Sequence, residues 1–132
     1  MRIFVFGSAS LTWRHLEAVQ GFLKNALAVA PEGESIILTH EDRLPSAKTP
    51  GAIGASKLSE VAAMLVWPPE RRRVFRTPNF LRYKLDQAIC FHTDAGMGQQ
   101  SAETARVLQT NKVPFLLVVL KESGGVELVD ER

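Results

Sequence analysis

Three short stretches of this sequence carry the residue types that hold a phosphate. They are Gly7-Ser8-Ala9-Ser10, Gly51-Ala52-Ile53-Gly54-Ala55-Ser56 and His92-Thr93-Asp94-Ala95-Gly96-Met97-Gly98. Each opens a predicted helix, and Ser101 adds a hydroxyl just after the last. Glycine lets a ligand approach the backbone, and the free N–H groups at a helix start attract an anion. The middle stretch is neither a Walker loop, since no Gly-Lys-Ser/Thr follows, nor a dinucleotide fingerprint, since its glycines are wrongly spaced. Short strand-to-helix turns also use Gly and Ser for structure alone. Each turn taken singly therefore fits either reading.

Other chemistry-bearing residues fall at predicted strand ends. His40-Glu41-Asp42 can supply a general base or grip ribose hydroxyls; a polar loop start is the plainer reading. Cys90 and His92 are two apart, so a strand points both to one face, but two residues do not make a metal site. Cys90, inside an apolar strand, is expected to pack inertly, and His92 to be hydrogen-bonded at the strand end. His15 lies among polar neighbours and is expected at the surface. No Ser-His-Asp order or nucleophile elbow is visible, and the residues call for no metal and no cofactor.

The strongest compositional anomaly is basic. Arg71, Arg72, Arg73, Arg76, Arg82 and Lys84 are interleaved with Phe75, Phe80 and Tyr83, with no acid among them. Guanidinium groups hold phosphates by two-point hydrogen bonds, and aromatic rings stack on bases. The run reads as a solvated face, as a phosphate-binding edge with Arg76 and Asn79, or as a nucleic-acid surface.

The elements that must position these residues are legible as patterns. Ile3 to Phe6, Ile36 to Leu38, Ala88 to Phe91 and Phe115 to Leu120 are apolar without alternation, as in parallel strands covered on both faces. Val74-Phe75-Arg76 is a weaker fifth strand. Helical stripes lie between them: Leu16, Val19, Leu23 and Leu27; Leu58, Val61, Ala62 and Leu65, stopped by Trp67-Pro68-Pro69; Leu81 and Leu85 behind a Thr77-Pro78 cap; and Thr104, Val107, Leu108 and Asn111 behind Ser101. The alternation predicts an α/β, Rossmann-like three-layer sandwich with a mainly parallel five-stranded sheet. Val126 to Val129 is expected as a short antiparallel edge strand. The long irregular stretch Glu41 to Gly54 is of the kind that is functional or mobile in a small domain.

Composition sets the frame. With 132 residues, the chain is expected to form one domain over residues 1–132 that buries a core without disulfides. One Cys excludes a disulfide framework, and the longest apolar run is about a third of a membrane span. A cytoplasmic setting is the expectation. The net charge of +2 excludes a wholly basic protein, yet the basic run leaves ten bases against 14 acids elsewhere. A basic segment therefore sits on a mildly acidic body.

Gly7-Ser8 after the first strand, the Gly51-Ala-x-Gly54-Ala-Ser56 helix opening and the Asp86 to Pro114 segment occur in an order that resembles the SLOG superfamily, in particular its small stand-alone branch. That superfamily includes the Lonely guy phosphoribohydrolases. The resemblance spans Met1 to Leu120 and implies a Rossmann-like fold with a nucleotide-type ligand at the strand ends. Ala9 stands where the family has Arg, Ser56 where it has Asp, and Gln100-Ser101 where it has Gly-Thr. Glu103 falls one place short of the catalytic Glu of the enzymatic branch.

The leading expectation is binding or sensing of a nucleotide-derived phosphorylated small molecule. Gly7, Ser8, Gly51, Gly54, Ser56, Gly96, Gly98 and Ser101 would give backbone and hydroxyl contacts. Arg76 would offset phosphate charge, and His40, Asn79 and Thr93 would contact ribose or base. N-glycosidic hydrolysis of a nucleoside monophosphate through Glu103 or Glu41 is the alternative, and nucleic-acid binding through residues 71–84 a further one. A homodimer through Trp13, Trp67 or Phe80 completes the expectations; all three could equally be core.

Overall fold

Four apolar segments form parallel strands shielded on both faces, and a fifth, more exposed strand joins them at the edge of the sheet. In the computed structural model, which describes residues 1–76, 82, 84–94, 97–123 and 125–131, these are β1 (Arg2–Gly7), β2 (Ile36–His40), β3 (Arg72–Arg76), β4 (Gln87–His92) and β5 (Phe115–Leu120). β6 (Val126–Glu131) returns antiparallel along β5. The sheet therefore has the five expected parallel strands and the antiparallel edge strand, in the order β3-β2-β1-β4-β5-β6. The first three strands build outward one way and the next ones the other way. The topological switch point lies between β1 and β4, where open α/β sheets place a ligand crevice.

Alternation along each strand divides the core. Ile3, Val5, Leu38, Ile89 and Phe91 face one side, where α1 (Leu16–Val29) and α2 (Ala55–Val66) cover them. Phe4, Phe6, Cys90 and Leu117 face the other, under α3 (Gly98–Thr110). The chain is thus α/β with a mixed sheet, consistent in general terms with a Rossmann-like arrangement. Among the described residues no helix is long and apolar enough to cross a membrane.

Several local expectations shift. α1 buries Val19 and Leu23 as its stripe predicts, with Ala26 added. α2 buries Leu58 and Ala62 as its stripe predicts but adds Ser59 and Ala63, whereas Leu65 is 62% exposed. Where the helix lies close against α1 and β1, small side chains fill the space beside Leu58. α3 begins at Gly98, behind Met97 in the left-handed region, so Ser101 is a fully buried first-turn residue and not a cap. Val107 is exposed on its outer side. The helix expected behind Thr77-Pro78 falls mostly outside the described residues, and Lys84 and Leu85 are not helical.

Much of the basic run has a structural task. Arg72 Nη1 donates to the Met64 and Trp67 carbonyls, closing the end of α2 where acceptors lack partners. Arg71 donates to the Glu34 and Pro31 carbonyls in the connection from α1 to β2. Trp67 is core: its Nε1 donates to the Leu23 carbonyl, tying α2 to α1. Trp13 stays 53% exposed, and Phe80 lies outside the described residues.

The tightest point is Gly7. A Cβ there would lie 1.9 Å from the Phe91 carbonyl oxygen, at a φ of +149°. Gly21, inside α1, has nothing within 4 Å of its Cβ position. Gly7→Ala is expected to remove more than about 3 kcal/mol of stability. Gly21→Ala should add about 0.5–1 kcal/mol through helix propensity. Urea unfolding of the two variants checks both signs.

Candidate functional site

The stretch from Glu41 to Gly54 is a strap folded over the end of β1. Ser46 N–H donates to the Ala9 carbonyl, and Ile53 and Gly54 N–H both donate to the Leu11 carbonyl. Ala55 N–H donates to the Ser8 carbonyl, and Thr49 Oγ1 to Ser10 Oγ at 3.2 Å. Gly54, at φ +86°, makes the turn into α2 with its Cβ position 3.5 Å from Ala9 Cα.

Two strap residues enter the crevice at the switch point. Arg43 Nη1 donates to the Gly7 carbonyl at 2.8 Å and to Ser101 Oγ at 3.4 Å. Its backbone N–H donates to Ser56 Oγ at 3.0 Å. Glu41 accepts from Gly7 N–H at 3.4 Å and from Thr104 Oγ1 at 3.2 Å. A carboxylate thus lies against the first-strand turn, where a phosphate was expected. The other turn groups are engaged too: Ser8 N–H donates to the Phe91 carbonyl and Ser10 N–H to Ser8 Oγ.

Burial dominates the electrostatics of this crevice. It raises the Glu41 carboxyl above its ordinary range, against the opposing pull of Gly7, Thr104 and Arg43. It pushes the Cys90 thiol up to about 12, with the Glu41 charge adding to the effect, so that Cys90 is an inert packing group. It lowers His92, with the Asp94 charge opposing.

A second network lies at the ends of β2 and β3. His40 is fully buried; Asp42 N–H donates to its Nδ1 at 3.0 Å, and its Nε2 lies 2.9 Å from Glu60 Oε2. Arg76 holds the same carboxylate with two donors, Nη2 to Oε1 at 2.6 Å and Nε to Oε2 at 3.2 Å. The hydrogen bonds from Arg76 hold the Glu60 carboxyl below its ordinary value, with burial opposing.

The strap separates two cavities. The smaller, about 320 Å³, includes His40, Arg43, Ser56, Lys57, Glu60 and Arg76 in its wall. The larger, about 750 Å³, opens on the other side among Ser10, Trp13, Arg14, His15, Thr49 and Thr93. The expected site residues are divided accordingly. His40, Ser56 and Arg76 border the first cavity, and Gly51 and Thr93 the second. Gly7, Ser8, Gly54 and Ser101 lie in the wall between, and Gly98 heads α3. Asn79 and Gly96 lie outside the described residues. Glu103 is exposed on the outer side of α3, leaving Glu41 as the carboxylate of the two that reaches the crevice.

Three features escape sequence reading. Arg43 stands in an irregular loop with no periodicity to place it. Glu60 lies on a helix whose stripe looked purely apolar. His15, expected at the surface, is only 4% exposed. The chain matches no protein-family model, no curated protein and no solved structure.

The two carboxylates should respond to pH in opposite directions. Glu60, depressed when folded, contributes stability above its ordinary value of 4.5 and loses it as pH falls through the lowered value. Glu60→Gln should therefore destabilise by roughly 1–2 kcal/mol at neutral pH and by little in acid. Glu41, raised when folded, contributes most below 4.5, and its contribution declines as pH rises through the raised value. Glu41→Gln should gain on the parent protein as pH rises above 4.5. Melting temperatures from acid to neutral pH check both.

Proposed function

We propose that the protein binds or senses a nucleotide-derived phosphorylated small molecule in the larger cavity at the carboxyl edge of the sheet. The observation that carries this reading is the composition of that cavity. Its volume of about 750 Å³ lies in the range that holds a small organic ligand. Trp13, half-exposed at its border, offers a ring face for a base, and Arg14 beside it offers a fixed positive charge. Ser10, Thr12, Thr49 and Thr93 add hydroxyls suited to a sugar. The Rossmann-like strand order and the place at the strand ends support the same reading.

N-glycosidic hydrolysis keeps one supporting observation: Glu41 is a buried carboxyl raised toward the range of a proton donor. Its engagement with Gly7, Thr104 and Arg43 favours a structural role. A nucleic-acid surface has less support, since Arg71, Arg72 and Arg76 hold groups of the protein itself. Of the interface candidates, Trp67 is core and Trp13 borders the cavity, which favours reading Trp13 as a ligand contact over a second copy.

A panel of nucleoside monophosphates and their parent nucleosides tests the reading. At least one phosphorylated member should raise the melting temperature and quench the emission of the exposed tryptophan. Trp13→Ala should keep the fold and weaken that ligand roughly tenfold or more, as expected for a lost base–aromatic stack. No thermal shift with any nucleotide overturns the reading. Release of free base that Glu41→Gln abolishes would establish the hydrolase instead.

A further inference from the structure

All three histidines sit at the carboxyl edge, and each uses Nδ1 in the same way. Asp42 N–H donates to His40 at 3.0 Å, Asp94 N–H to His92 at 3.3 Å and Thr12 N–H to His15 at 3.0 Å. An Nδ1 that accepts an amide proton carries none of its own, so the ring proton lies on Nε2. His40 gives that proton to Glu60, and His92 is bonded to the Met97 backbone. His15 gives it to nothing: its Nε2 is buried and has no partner among the described residues. A buried donor left in that state is unfavourable, and such groups point to a missing acceptor.

The surroundings of His15 identify the acceptor by chemistry. His15 lines the larger cavity and closes the 3-10 turn Trp13–His15 that runs directly into α1, so the positive end of that helix dipole lies beside it. Arg14 and the Ser10, Thr12 and Thr49 hydroxyls share the wall. Glu122 is the carboxylate on that lining and stands exposed on the connection from β5 to β6. In the first-strand turn the Gly7, Ser8 and Ser10 amides are engaged internally, which favours another seat for an anion.

We propose that His15 Nε2–H, with Arg14 and the start of α1, forms the subsite for a phosphate oxygen of the ligand. The inference rests on the proposed use of the larger cavity, and it makes His15 a specificity-determining donor for phosphorylated over unphosphorylated molecules. A donor fixed in one tautomer rejects a ligand that brings another hydrogen to the same point.

Long-range proton–nitrogen NMR of the three imidazoles tests it on the unmodified protein. Adenosine monophosphate, guanosine monophosphate, adenosine and inorganic phosphate serve as probes. The expected result is a downfield shift and slowed exchange of the His15 Nε2 proton with inorganic phosphate and with a monophosphate. Adenosine should leave it unmoved, and His40 and His92 should not respond to any probe. His15→Gln can keep both hydrogen bonds and should retain monophosphate binding. His15→Phe removes the donor and should weaken it roughly tenfold or more. Monophosphate binding by thermal shift with an unchanged His15 signal overturns the subsite and leaves the nucleotide reading standing. A His15 response to inorganic phosphate, with no thermal shift by any nucleotide, keeps the subsite and overturns the nucleotide reading. Silence in both measurements overturns both.

Discussion

The carboxyl edge of this sheet is organised by the close approach of β1 to β4 at Gly7. No Cβ fits between that residue and the Phe91 carbonyl, and Ser8 N–H closes the contact with a hydrogen bond to the same oxygen. Without a side chain at Gly7, both of its peptide groups stay open to what lies above. Glu41 accepts from the N–H and Arg43 donates to the carbonyl. The strap can therefore lie directly on the switch point. Its ends are fixed by the hydrogen bonds to Ala9, Leu11 and Ser8.

That placement decides where a ligand can enter. The position between β1 and β4, which an open α/β sheet ordinarily leaves for a ligand, holds a carboxylate and a guanidinium of the protein itself. Ligand space is displaced to the two sides of the strap, and the sides differ in kind. On the β2–β3 side Arg76 and His40 share the Glu60 carboxylate, with Asp42 and Lys57 also in the wall. On the β4–β5 side the wall carries hydroxyls, one exposed indole, one guanidinium, the Glu122 carboxylate and the His15 imidazole, whose Nε2 has no acceptor among the described residues.

The sequence was informative where a pattern repeats. Uninterrupted apolar runs such as Phe115 to Leu120 marked the buried parallel strands, and even the weak Val74-Phe75-Arg76 run belongs to a strand. The antiparallel return at Val126 followed from the Ser-Gly-Gly turn signal before it. At α2 periodicity placed Leu58 and Ala62 in the core but not Leu65, which faces outward while Ser59 faces inward, because close helix packing selects for size as well as hydrophobicity. The candidate site was legible as a region and not as a constellation. The glycine turns do fall at the carboxyl edge of the sheet, as their positions after strands implied. Arg43 and Glu60 meet their partners across long sequence separations, and no local spacing encodes such contacts. Part of the basic run carries a structural signal, the helix-end carbonyls held by Arg72.

The histidines bear on whether this edge recognises or transforms its ligand. A histidine acting as general base must present a lone pair to the reacting proton. In His15, His40 and His92 alike, the lone pair on Nδ1 accepts a backbone amide, which leaves Nε2 as the donor. Freeing a lone pair means breaking a local turn hydrogen bond in each case. Cys90 is buried and held as a thiol, and Glu103 faces away from the crevice. Of the two carboxylates considered for hydrolysis that leaves Glu41, already shared between Gly7 and Thr104 and faced by Arg43. Fixed imidazole donors of this kind suit the proposed holding of an anionic ligand better than drawing a proton from it.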